Sequence, residues 1–92
     1  AEGIFITGNS RIADNLVGLV FGTARRGIRS FGGGNIIIGN QLLTAEAPIF
    51  FDSSSGSGGY CAANIMKSAI VDESGNHTIN GTVPAPNVVV AP

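Results

Sequence analysis

Charge is scarce in this 92-residue chain: Lys, Arg, Asp and Glu make up 12% of it, against about 25% in an average soluble domain. There is no Trp, and Tyr, Met and Cys occur once each. The lone Cys61 excludes an internal disulfide framework. A net charge of −1 supplies no overall field for nucleic acid or an anionic membrane. No apolar run approaches the roughly 18 residues that a membrane helix needs, so no membrane insertion is expected. The opening "AEGIF" has no basic stretch followed by an apolar one, and so does not read as an intact signal peptide. The absence of an initial Met implies processing, excision or a longer parent chain.

Glycine fills much of the space that charge leaves, with 14 residues. Each would cost a helix interior about 1 kcal/mol relative to Ala, so helices are disfavoured. The best helical candidates, "SRIADNLVGLV" and "CAANIMKSAI", are short and interrupted. Short β-rich runs recur instead: 4–7, 19–21, 27–31, 35–39, 48–52, 68–72, 77–80 and 87–91. Gly, Asn, Asp and Ser separate them, as tight turns require. A self-sufficient domain usually carries a more charged surface, so much of this one is expected to face other protein.

The stretch "GIFITGN" starting at Gly3 returns as "GNIIIGN" starting at Gly34, 31 residues later. Ile12 matches Leu43 at the same offset, and Val20-Phe21 matches Phe50-Phe51 one residue short of it. A third, weaker copy runs from "AAN" at 62–64 to "SAIVD" at 68–72. A period of about 30 residues falls in the range of stacked repeat folds. A unit of two or three short strands cannot bury an apolar face alone, but the next coil can cover it. This register predicts parallel strands with Ile6 above Ile37 and Val20 near Phe50. Asn tolerates the left-handed backbone of a sharp corner. The reading therefore stacks Asn9, Asn40 and Asn64 as an amide ladder.

These coils resemble the right-handed parallel β-helix of pectate-lyase-like proteins and bacteriophage tailspikes, over roughly residues 3 to 80. The resemblance implies an all-β solenoid (1–81) and a homotrimer. It also implies that the Pro-containing "TVPAPNVVVAP" (82–92) crosses out as an extended trimerisation segment. Pro84 and Pro86 favour extended backbone there.

Candidate chemistry is thin. "FGGGN" (31–35) lacks the spacing and the Lys-Ser/Thr pair of a nucleotide cradle, and no cofactor is expected. Arg25, Arg26 and Arg29 could fork onto the carboxylates of an acidic polysaccharide, or could be a solvated loop or partners for acids across a subunit boundary. Glycoside hydrolysis requires two facing carboxyl groups. Asp52 and Asp72 end the similar strands "PIFFD" and "SAIVD" and are the candidate pair, although Asp at a strand end is also an ordinary turn former. Glu46 and Glu73 are weaker candidates. Tyr60 reads either as an exposed sugar platform or as an anchor closing its loop. Neither His77 nor Cys61 has partners at metal-ligand or nucleophile spacing, so no metal site is expected.

Three functional readings follow. The leading one, carried by the resemblance, is a structural and receptor-binding segment of a trimeric phage tailspike or similar appendage. Its partners would be two copies of itself and bacterial surface polysaccharide, and it would sit on a virion tail or outside the cell. The second is part of a polysaccharide depolymerase, hydrolase or lyase, using Asp52 and Asp72. The third is a self-associating solenoid adhesin, because open coil ends are templates for further strands.

Overall fold

The computed structural model describes residues 2–18, 26–43 and 46–90. These contain strands and turns but no helix. The first coil holds β1 (Glu2–Ile6), β2 (Arg11–Ala13) and β3 (Leu16–Val17). The second holds β4 (Arg26–Ser30), β5 (Ile36–Ile38) and β6 (Gln41–Leu42), and the third β7 (Ala47–Phe51), β8 (Tyr60–Ala62) and β9 (Ile65–Met66). A fourth circuit is carried by β10 (Val71–Asp72), a single parallel bridge from Thr78 to Tyr60, and β11 (Val88–Val89). Strands one coil apart pair in parallel, giving sheets β1-β4-β7-β10, β2-β5-β8 and β3-β6-β9-β11. The protein is a parallel β-solenoid. In such a stack each coil satisfies the backbone of the one before it, which short strands cannot do alone.

The inward rows make one apolar column. Ile4, Ile28 and Ile49 are in register on the first sheet, Ile12, Ile37 and Cys61 on the second, and Val17, Leu42, Met66 and Val89 on the third. Ile28, Ile37, Leu42, Ile49, Phe51 and Cys61 are fully buried. At about 25 cal/mol per Å² of apolar surface, this column is the main source of stability.

The register differs from the sequence-based one. Ile6 lies opposite Ser30, whereas Ile37 lies between Ile12 and Cys61 on a different sheet. Phe50 faces Arg29 and Val71, and Val20 falls outside the described residues. One coil takes 24 residues from Ile4 to Ile28, 21 from Ile28 to Ile49 and 25 from Ile12 to Ile37, not 31. The repeated "GIFITGN" and "GNIIIGN" are therefore strands of two different sheets. Over their described residues both helical candidates are strand-and-corner segments: "SRIADNLVGLV" contains β2 and β3 as far as Gly18, and "CAANIMKSAI" contains the end of β8, a turn and β9.

The corner between the second and third sheets carries an asparagine in every coil. The Asn15 side-chain amide donates to Asn40 Oδ1 at 3.2 Å, that of Asn40 to Asn64 Oδ1 at 3.0 Å, and that of Asn64 to Asn87 Oδ1 at 2.9 Å. Each side-chain carbonyl also accepts the backbone N–H of the asparagine one coil earlier, at 3.0 Å in all three steps. Asn40 and Asn64 are thus adjacent rungs, flanked by Asn15 and Asn87. Asn9 lies instead at the corner between the first and second sheets, where its φ is 50° and its N–H donates to the Gly33 carbonyl. In the first three coils the residue before the rung turns the chain with a left-handed backbone: Asp14 (φ 58°), Gly39 (φ 72°) and Ala63 (φ 56°). In the fourth coil residues 82–86 are exposed, and the chain then rejoins the stack as β11, paired with β9.

Candidate binding surface

Strand alternation on the first sheet turns Phe5, Arg29, Phe50 and Val71 outward in one row. Arg26 lies 4.1 Å over the Phe50 ring and Arg29 lies 5.3 Å over Phe5, both within cation–π range. Phe31, from the adjoining corner, tilts against Phe5 with centroids 6.4 Å apart. Phe5 and Phe31 stay about half exposed, while Phe50 is buried. Arg25 lies outside the described residues.

Both candidate carboxylates are held by their neighbours. Arg29 forks onto Asp52, with Nε 3.0 Å from Oδ2 and a terminal nitrogen 3.4 Å from Oδ1. Asp72 faces Phe51 in the register, one residue short of Asp52. Its Oδ1 accepts from the Ser74 N–H, the Ser74 hydroxyl and the Gly75 N–H, and its Oδ2 from the His77 N–H. Partial burial raises its pKa, but these hydrogen bonds and the nearby His77 outweigh that and hold it below the usual carboxylate value. A carboxyl held ionised in this way is poorly suited to protonating a leaving group. Glu46 and Glu73 are exposed on the surface.

The depressed Asp72 pKa has a consequence for stability. The unfolded chain binds that proton more readily than the folded one, so the contribution is complete above the unfolded value of about 3.9. It is lost as pH falls through the lower folded value. Asp72→Asn should therefore unfold more easily than wild type at pH 7, with the difference shrinking below about pH 4. Urea midpoints measured across that range check this.

Tyr60 is an anchor. Its hydroxyl donates to the Val83 carbonyl at 2.9 Å and accepts the Val83 N–H at 3.1 Å, pinning the exposed 82–86 crossing to the third coil. A Cβ at Gly81 would fall 2.5 Å from the tyrosine ring, so the ring packs directly on that backbone.

One polar pairing had no signal in the sequence. Ser55, which is buried, sits 2.9 Å from His77 Nε2 across the loop between β7 and β8. The ring stacks on Phe51 at 4.1 Å. His77 Nδ1 accepts the Gly59 N–H, so Nε2 carries the proton and donates to Ser55, whose hydroxyl in turn donates to the Asp52 carbonyl. A serine nucleophile needs the opposite polarity, with the imidazole accepting the hydroxyl proton. The pair instead seals the loop, and Gly59 leaves the ring its room: a Cβ there would lie 2.5 Å from Nδ1. Only the fold brings residues 55 and 77 together, and their separation marks no motif.

Burial, with a smaller contribution from Asp72, pushes the Cys61 thiol up to about 12, so it is an inert core residue. Among the described residues no group of three or more His, Cys, Asp or Glu side chains could hold a metal ion, and no helix is long and apolar enough to cross a membrane. No family model, curated protein or solved structure matches the chain.

Proposed function

We propose that this solenoid is a structural and receptor-binding segment of a trimeric appendage of the phage tailspike kind. In this reading it has the right-handed β-helical form and sits outside the cell, on a virion tail or similar structure. The carrying observation is the outward face of the third sheet. There Leu16, Ile65 and Val88 stand in one row along the axis, 67%, 45% and 50% exposed, with only Gln41 between them. An apolar stripe on a flat face is suited to burial against another subunit. The ligand in this reading is bacterial surface polysaccharide, and the Phe–Arg face of the first sheet supports it. Ring faces offer platforms for sugar, and guanidinium groups complement sugar carboxylates. The structural commitments of Asp52 and Asp72 favour binding over cleavage.

The test is sedimentation equilibrium combined with retention on an immobilised acidic polysaccharide. The wild-type chain should sediment at three times its monomer mass, and Ile65→Lys at the monomer mass. Replacing Phe5 and Arg26 by Ala should weaken retention by about tenfold, as expected for losing roughly 1.4 kcal/mol of contact. A wild-type monomer, or retention unchanged by the double substitution, would count against the proposal.

A further inference from the structure

The outward face of the first sheet carries a second row beside that of Phe5, Arg29, Phe50 and Val71. Two residues further along each strand, where the same side of the sheet is met again, come Thr7, Phe31, Asp52 and Glu73. The parallel bonding continues into this row. The Phe31 N–H donates to the Ile6 carbonyl, that of Asp52 to Ser30 and that of Glu73 to Phe51. The two rows divide the face along the axis. The half-exposed rings of Phe5 and Phe31 belong to the first two coils, and the carboxylates of Asp52 and Glu73 to the third and fourth. Arg29 stands at the boundary.

A guanidinium binds a carboxylate best through a planar fork of two N–H groups. In Arg29 the fork made by Nε and a terminal nitrogen is filled by Asp52, at 3.0 and 3.4 Å. The centre of the same group lies 5.3 Å over the Phe5 ring. The pair is at the surface, with the two side chains 30% and 15% exposed, so it meets whatever lies on the rings. A carboxylate arriving there finds its place taken by one from the chain itself. Asp52 is tethered on the neighbouring strand, which gives it the advantage of an intramolecular partner over a free one. Glu73, exposed and next in the row, adds like charge.

We infer that Asp52 sets the charge selectivity of this face: by filling the Arg29 fork it closes that position to carboxylated sugars. The stretch of glycan over Phe5 and Phe31 is then selected as neutral sugar, and an acidic polysaccharide is held with its neutral residues on the two rings. This deepens the polysaccharide reading above and rests on it for the class of ligand.

The test compares retention of the 92-residue chain on an immobilised acidic polysaccharide and on the same polymer with its carboxyls reduced to alcohols. Asp52→Asn leaves a neutral amide beside Arg29. It should raise retention on the acidic polymer about tenfold, the gain of one charge-assisted fork. On the reduced polymer it should change retention by less than about twofold, because no charged partner is gained there. Glu73→Gln removes the same charge one coil further on without opening a fork, and should change retention on either polymer by less than about twofold. Adding Arg29→Ala to Asp52→Asn should cancel the gain. An Asp52→Asn chain held no more tightly than wild type on the acidic polymer would overturn the inference. So would a gain matched by Glu73→Gln, a gain that survives loss of Arg29, or an equal gain on the reduced polymer. The bonds that hold the loop after β7 use the Asp52 main chain, whose carbonyl accepts from Ser55 and whose N–H donates to Ser30, so the substitution keeps them. Should Asp52→Asn fail to melt cooperatively, Asp52→Ser takes its place under the same outcomes. Wild type retained on neither polymer would sink the polysaccharide reading. If Asp52→Asn were then held by the acidic polymer alone, the closed fork would stand without that reading; if it were not, both would fall.

Discussion

Replacing Asn64 by Leu is expected to destabilise the protein by about 2–4 kcal/mol, out of the roughly 5–14 kcal/mol available to a chain of this size. The side chain is fully buried and is an interior rung of the ladder. Its carbonyl accepts the Asn40 N–H and the Asn40 side-chain amide, and its own amide donates to Ile37 and Asn87. Leu fills the volume and keeps none of these bonds. The Asn40 N–H is then left buried without an acceptor, the costlier half of losing a hydrogen bond. Asn40 Nδ2 is spared that fate, since it still reaches the Ile12 and Ile38 carbonyls. Asn15→Leu, at the exposed top of the same ladder, should cost under about 1 kcal/mol, because water replaces what is lost. Urea titrations of both variants give the comparison. The buried Cys61 thiol offers a second readout, since it should react with a thiol reagent in proportion to the open population. Equal costs at the two positions would mean that the ladder does not act as a buried network.

The parallel solenoid was legible in the sequence, and its register was not. Short apolar strands, glycine-rich corners and little charge all point to stacked coils. The likeness of "GIFITGN" to "GNIIIGN" misled because strands on two sheets of one coil meet the same demand, an inward apolar residue followed by a tight corner. Ile6 and Ile37 both reach the core without standing above one another. The better guide was the spacing of Asn15, Asn40, Asn64 and Asn87 at 25, 24 and 23 residues, each after a corner residue. Gly8-Asn9 mimics that pattern at a different corner. The short strands β2, β3, β6, β8 and β9 also escaped notice, because two or three residues in a solenoid are specified by the coil beneath them more than by local propensity.

The candidate site was legible only as composition. Arg26 and Arg29 could be listed, but the ring faces beneath them depend on which outward rows align. That is a property of the 21-to-25-residue coil, and a 31-residue register cannot give it. The same holds for Asp52: its partner Arg29 lies one coil earlier on the neighbouring strand. Side-chain pairing within the stack thus claims groups that the sequence alone would offer to a ligand.

The other large effect is expected at Gly32, where Ala should cost about 3 kcal/mol or more, within the range of overpacked sites and strained backbone. A Cβ there would fall 1.9 Å from the Thr7 carbonyl oxygen, 2.5 Å from its carbon and 2.8 Å from Gly8 Cα. All three are backbone atoms of the coil above, so no rotamer change can relieve the clash and the coils must part. Parting them stretches the Phe31-to-Ile6 and Asn9-to-Gly33 bonds, at 3.0 and 2.9 Å. It also pulls on buried Asn35, whose amide reaches the Thr7 carbonyl and whose carbonyl accepts the Ser10 N–H. Gly18→Ala is the matched control, since a Cβ there meets nothing within 4 Å among the described residues; it should stay within about 0.5 kcal/mol of wild type. At about 4–8 °C per kcal/mol for a domain of this size, Gly32→Ala should lower the melting temperature by roughly 12 °C or more. A thermal melt placing the two glycine variants together would show that the first corner yields without loss, and that the close approach of coils one and two does not hold the stack.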